Sequence, residues 1–302
     1  MRSIFLIFFL CFYVSVQSQG LNASVDPIQL VESKQPSLFN KKKNILLISE
    51  VTAYTVALVG LNQLWYTGYP RSSFHFINDN CEWLQIDKMG HMAASYYTGV
   101  VGIKAYDWAG FERKQAIWYG GMTGSIFLTI IEILDGTSKE WGASSGDLLA
   151  NTTGSLLSIV QALKWEEQRI QLKYSYSHTE WAVLNPEQLG ETNLERALKD
   201  YNGHTYWITF NMNSIFNIEN KNIPNWLSFA LGYGGESMTH PYPVDSSKRY
   251  RQYYLSLDID LNKIKTKSKY LNAFLHTFGF LKFPMPTLEL SNGSLSFHPI
   301  FY

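Results

Sequence analysis

Three residues near the first third of the chain have types and spacing that could do chemistry. In "QIDKMGHMAASYY", Gln85 to Tyr97, a carboxylate, an ammonium and an imidazole (Asp87, Lys88, His91) head a run of small and apolar residues. Asp87 and His91 are four apart, so on a helix they lie one above the other on one face. Further on, "FLTIIEILDG" places Glu132 and Asp135 three apart at the end of a strongly apolar segment. A helix dipole opposes carboxylates there, and Lys88, His91 or a metal would offset that cost. A third segment, "WGASSGDLLANTTGSLLS", carries Ser144 three residues before Asp147, then Asn151, then Gly154. One histidine with several carboxylates suits general acid/base catalysis, or a hard divalent cation held by oxygens and one imidazole.

Each piece also has a plain structural reading. Asp87 at a helix start is a cap, Asp135-Gly136 is a turn, and Ser144 with Asp147 is a capping pair. Asn151, one turn inside its helix, has no such local reason. The candidates for catalysis are therefore Asp87, Lys88, His91, Glu132, Asp135, Ser144, Asp147 and Asn151. Those for a metal are His91, Glu132, Asp135 and Asp147, with a divalent ion as the cofactor they suggest. No nucleophile motif, Gly-rich phosphate loop, H-E-x-x-H motif or cysteine ligand pair accompanies them.

Helices must bring these residues together. The opening "MRSIFLIFFLCFYVSVQSQG" orders a charge, an apolar run and a small-residue exit as a secretory signal peptide does, over residues 1–18. Leu10 is too large for the position before an acylated cysteine, so Cys11 is expected to carry no lipid, and its removal leaves Cys81 as the one thiol. Residues 19–42 read as a polar tether. Residues 43–169 read as a bundle of about four closely packed, membrane-associated helices. The first is the apolar run Ile45 to Trp65, interrupted by Glu50 and long enough to cross a bilayer. The others are placed at Lys88–Tyr106, Arg113–Leu134 and Asp147–Arg169. Gly90 with Ala94, Gly120 with Gly124, and Ala150 with Gly154 are spaced by four, and such faces let helices approach closely.

From residue 170 to 302 the period changes to two. "RQYYLSLDIDL", "HTYWITFNM" and "NWLSFALGY" alternate as half-buried strands do, and "TNLERALKDYNG" reads as a short helix with Thr192 and Glu195 as a capping box. Ser268 to Gly279 is a second short helix. The fold class is α+β, helices first. Four or five strands are too few for the ~8 of the smallest single-chain membrane barrels. Pro299 also interrupts the last strand. A small sheet packed on the helices or lying on a membrane surface is expected instead.

The motifs D-K-x-x-H (Asp87, Lys88, His91), E-x-x-D (Glu132, Asp135) and G-x-S-x-x-D (Gly142, Ser144, Asp147) occur in this order within about Asp79 to Arg169. Followed by a glycine, the set resembles the YfiM-type family of uncharacterised bacterial envelope proteins, whose members are often short predicted lipoproteins. A more distant similarity is to VanZ-like membrane proteins, which pair D-K-x-x-H with D-x-x-x-N-x-x-G, here Asp147, Asn151 and Gly154. The resemblance implies an envelope location and close helix packing, and it brings no reaction. The long C-terminal half departs from the short members.

Acidic and basic residues are equal at 25 each, which gives no electrostatic footprint for nucleic acid. Aromatic residues at 15% suit a membrane interface. The expected function is that of an exported cell-envelope protein whose bundle holds a convergent polar cluster, structural or ligand- and metal-binding. The alternative is a membrane-associated hydrolase or transferase acting on a lipid-linked or phosphorylated envelope substrate. Expected partners are membrane lipids, and other envelope proteins through the β-rich half. A site open to substrate would favour the enzyme, and a sealed one the structural reading.

Overall fold

The computed structural model describes residues 35–66, 69–216, 224–243 and 248–301. The leader, Cys11 and most of the tether lie outside the described residues. The first helix, α1, spans Gln35–Leu61 and continues as a wide turn, Asn62–Tyr66. It therefore begins inside the segment read as tether. Lys42 of that segment and Lys43 just after it stack on aromatic rings, Lys42 over Trp108 and Lys43 over Phe111, at 5.4 and 4.4 Å. Glu50, the charge that interrupts the apolar run, accepts a hydrogen bond from Tyr106 at 2.9 Å.

The next helix, α2 (Ile86–Trp108), is the hub of the helical half. Against it pack α3 (Gly121–Gly136) and α4 (Ser145–Trp165). The helix expected from Arg113 runs on into α3 through a wider, π-type stretch at Ala116–Gly120. Close backbone contact accompanies that stretch, since a Cβ on Gly102 would lie 2.1 Å from the Gly120 carbonyl oxygen. Gly154 allows a similar approach, its pro-Cβ position being 2.1 Å from the Met92 carbonyl. Gly90 differs, because it faces the Tyr206 hydroxyl of the sheet rather than another helix. The helix α4 ends at Trp165, four residues before the expected boundary, with Glu166 left-handed at φ 57°.

Two helical segments, Lys41–Leu61 and Arg113–Gly136, are long and apolar enough to cross a membrane by length and composition. They differ in setting: 11% of the apolar window is buried in the first and 56% in the second.

A parallel pair of two-residue strands, β1 (Phe76–Ile77) and β2 (Ala143–Ser144), ties the loop before α2 to the start of α4. The C-terminal half is a six-stranded antiparallel sheet in sequence order. Its strands are β3 (Ile170–Tyr176), β4 (His204–Asn211), β5 (Leu227–Glu236), β6 (Tyr250–Ile259), β7 (Met285–Ser291) and β8 (Ser294–Phe301). That exceeds the four or five expected. The sequence pattern concealed β3 behind polar residues, and β8 behind Pro299. A proline is tolerated in β8 because it is an edge strand with a bulge opposite Met285–Thr287. The capping box of Thr192 and Glu195 starts a short helix at Asn193–Lys199, and a second runs over Lys269–Thr277.

The alternation in these strands is present, but its polar side is the buried one. Lys173, Ser256, Asp258 and Thr287 are buried, whereas Tyr253, Leu255 and Leu288 are exposed. The sheet curls around its polar side: Lys173 on β3 meets Asp258 on β6, with β4 and β5 between them in the sheet, at 2.6 Å. Trp207, Tyr254 and Phe301 fill the rest of the hollow. Among the described residues the apolar side is covered at β3 and β4, where Leu172 and Tyr206 pack with Ile86 and Tyr96 of α2, and at the Tyr233 end of β5.

Candidate functional site

A left-handed turn delivers α2 to the site. Trp83, Leu84 and Gln85 have φ of 47°, 50° and 67°, a run that costs L-residues energy at each step. The sheet half holds it in place. Tyr233 donates to the Leu84 carbonyl at 2.5 Å, Arg251 donates to Gln85 Oε1 at 2.8 Å, and the Trp83 amide donates to Pro241 at 3.0 Å. Within the turn, burial first and the Asp79 carboxylate next raise the pKa of Glu82. Directly after the turn come Asp87 and Lys88, and one helical turn later His91.

Lys88 is the local cation. Its Nζ lies 2.6 Å from Asp79, 3.0 Å from Asp147 and 3.5 Å from Asp87. It also approaches Ser144 Oγ at 3.5 Å. Ser144 performs the capping role read from its spacing, accepting the Asp147 amide at 3.1 Å, and its hydroxyl donates to Asp79 at 2.5 Å. The Ser144 amide donates to Glu132 at 2.9 Å. A carboxylate at the end of α3 is thus met by a free N–H at the start of α4, and the two helix ends neutralise each other.

His91 occupies the centre, fully buried. Its Nδ1 donates to Asn151 Oδ1 at 2.7 Å, which supplies the reason for Asn151 that local sequence lacked. The ring is thereby oriented with Nε2 toward Asp147 at 3.7 Å and Glu132 at 3.9 Å, within ion-pair range but longer than a hydrogen bond. The Asp147 oxygen that faces this nitrogen is also the one that Lys88 approaches at 3.0 Å. One donor atom each from Asp87, His91 and Asp147 lie within 4.8 Å of one another, a grouping that could hold a metal ion.

Of the residues read from sequence, Asp87, Lys88, His91, Glu132, Ser144, Asp147 and Asn151 are linked by these contacts. Asp135 has a partner that the sequence did not suggest, the Tyr66 hydroxyl at 2.6 Å. Two further residues were missed. Asp79 is the closest carboxylate to Lys88, and Tyr201 donates to Asp87 at 3.0 Å from across the sheet half. Asp79 marks the start of the motif-bearing stretch, which is the one signal that could have found it. Nothing in the sequence connects Tyr201 or Tyr66 to the cluster. The centre is closed: His91, Asp147 and Asn151 are fully buried, and Glu132, Asp135 and Ser144 are nearly so. A relay of hydroxyls continues it into the helix interface, Ser95 donating to the Asn151 carbonyl at 2.5 Å and meeting Ser155 at 2.9 Å.

An α+β protein with a buried charge centre between its helices and a curled antiparallel sheet is the class that this geometry defines. Residues 75–162 match the model of a family described as predicted periplasmic lipoprotein (DUF2279). The matched stretch contains every site residue except Tyr66 and Tyr201. The description supports an uncharacterised bacterial envelope lipoprotein and carries neither the YfiM nor the VanZ name. The protein is an exported, envelope-associated one. No curated protein and no solved structure matches the chain.

Proposed function

We propose that this is a non-catalytic envelope protein of the YfiM type, whose charge centre fixes the register of α2, α3 and α4 in a helical unit seated in the membrane through α1. The carrying observation is the closure of the centre. His91, Glu132 and Asp147 come from three helices and meet at a point sealed from bulk solvent. A substrate would need a path to His91, whereas a register-fixing network works best sealed. Lys88 supplies the internal countercharge, and buried ionisable groups of helical bundles require such partners. The exposed apolar face of α1, with Ile48, Val51 and Val59 about half or more exposed, supports the membrane seat.

A second reading is favoured by the convergence of Asp87, His91 and Asp147 donors, which suits a divalent cation. Against it stands the Lys88 ammonium, 3.0 Å from the same Asp147 oxygen that faces His91. Two unit charges ~4 Å apart repel by roughly 4 kcal/mol at an effective dielectric near 20.

The experiment is a double-mutant cycle between His91→Ala and Glu132→Ala, combined with metal analysis of the protein purified from membranes. The structural reading expects strong destabilisation by each change, coupling of the two, and no stoichiometric metal. Bound metal, with stability lost on chelation, would establish the second reading. Coupling within about 0.5 kcal/mol of zero means that the side chains act independently and removes both. Loss of a membrane-linked activity in variants of intact stability would restore the enzyme.

A further inference from the structure

The sheet has the polarity of a surface made for lipid. Register places Leu172, Ile208, Leu231, Leu255, Leu288 and Phe297 in one row across all six strands. The row begins under α2, with Leu172 at 3% exposure. It emerges onto a bare surface, with Leu231, Leu255 and Phe297 at 51, 48 and 62%. A parallel row runs through Tyr253, Leu290 and Leu295 to the same edge, and all three are at least half exposed. One apolar face therefore starts as protein core and continues uncovered for four strands among the described residues.

Charge is distributed the opposite way from that of a water-facing sheet. Apart from His204, buried on the side that faces α2, and Arg251 at a strand end, the charged residues in the paired stretches of β3 to β8 point into the hollow. Lys173 pairs with Asp258 at 2.6 Å and Glu289 with His298 at 2.7 Å, while Lys282 stacks over Trp207 at 4.9 Å. The outward positions of β5 from Leu227 to Tyr233, and their partners Tyr253 to Ile259 on β6, hold no charge. Arg251 is the first outward charge, and it lies at the strand end bound to Gln85.

Amphipathic aromatics bracket this face. Trp226 precedes β5 at one end, 37% exposed, and Tyr233 and Tyr253 stand at the other, with Phe229, Leu231, Leu255 and Leu257 between. Trp226 and Tyr233 are seven positions apart, about 23 Å at ~3.3 Å per residue. That is close to the ~25 Å apolar band between the aromatic girdles of membrane β-structures.

From these three observations we infer that the outer face of β5–β8 seats directly against the acyl-chain region of a bilayer, with the polar hollow turned away from it. Lipid is the occupant because nothing in the apolar field could pair polar groups of a protein partner, and because Tyr253, Trp226 and Arg251 lie only at its margins, where headgroups would meet them. The inference is independent of the charge centre at His91.

The test uses the full chain, purified and reconstituted into vesicles of phosphatidylethanolamine and phosphatidylglycerol. A photoreactive benzophenone amino acid replaces Leu255 in one variant and Phe297 in another, both positions having room for it. Glu187, an exposed residue of the helical turn Pro186–Leu189, serves as the control position. After irradiation, mass spectrometry should find acyl-chain adducts at Leu255 and at Phe297 and none at Glu187. Cross-links to a second copy would assign the face to a homodimer and overturn the inference. Cross-links to residues 1–34 would assign it to the chain's own N-terminal segment, with the same result. The absence of acyl adducts at either sheet position would also refute it.

Discussion

Replacing Lys88 by methionine probes the charge centre most directly, because it keeps most of the apolar stem and removes only the ammonium. Three carboxylates, on Asp79, Asp147 and Asp87, lie 2.6, 3.0 and 3.5 Å from Nζ. At an effective dielectric near 20 each contact represents roughly 5 kcal/mol of raw attraction, most of which offsets the cost of taking the charges out of water. The Lys88 side chain is 13% exposed, so little of this is screened by solvent. What counts on removal is the carboxylates left behind, and breaking a buried pair in this way costs about 3–5 kcal/mol. Lys88→Met should therefore lower the unfolding free energy by an amount in that range, read from denaturant titration in detergent micelles by tryptophan fluorescence. Adding Asp79→Asn removes one of the stranded charges, so the double variant should lose less than the sum of the single losses. A loss below about 1 kcal/mol for Lys88→Met, the size expected of an exposed pair, would refute the claim that this centre clamps the helices.

Two further outcomes are expected. Gly154→Ala drives a Cβ into the Met92 carbonyl and should destabilise by about 1–3 kcal/mol; Gly60→Ala, which meets nothing within 4 Å, should be neutral or stabilising by up to about 1 kcal/mol. Thermal unfolding of the two variants side by side checks the difference. His204 is depressed from 6.5 to about 3 by burial, its Nε2 donating to the Ala197 carbonyl. A histidine held neutral in the fold contributes stability that is complete above pH 6.5 and is lost as pH falls from there toward 3, by up to about 1.4 kcal/mol per pH unit. His204→Gln should flatten the stability profile across that acid window, and an unchanged slope would show that His204 is not the group responsible.

The sequence by itself determined the order of the parts: helices with period 3.6 ahead of strands with period 2, and polar residues gathered at helix ends. Asp87, Lys88, His91, Glu132, Ser144, Asp147 and Asn151 were legible because each sits within two turns of a helix boundary, where spacing alone decides the face. The Thr192 and Glu195 capping box was legible for the same reason, being a contact between residues three apart. Tertiary structure decided everything that depends on distant segments meeting. Asp79 reaches Lys88 only because the β1–β2 pair folds its loop onto the start of α4. Tyr66 and Tyr201 reach their carboxylates from opposite halves of the chain, and no spacing encodes those meetings. The sense of the sheet was also beyond the sequence. Alternation in "RQYYLSLDIDL" shows two faces of different polarity but not which one is enclosed. That choice followed from Lys173 and Asp258 finding each other across the curl, which buries the polar side and leaves the leucines outside. Periodicity is a property of one strand, whereas inside and outside are properties of the closed surface that several strands make together.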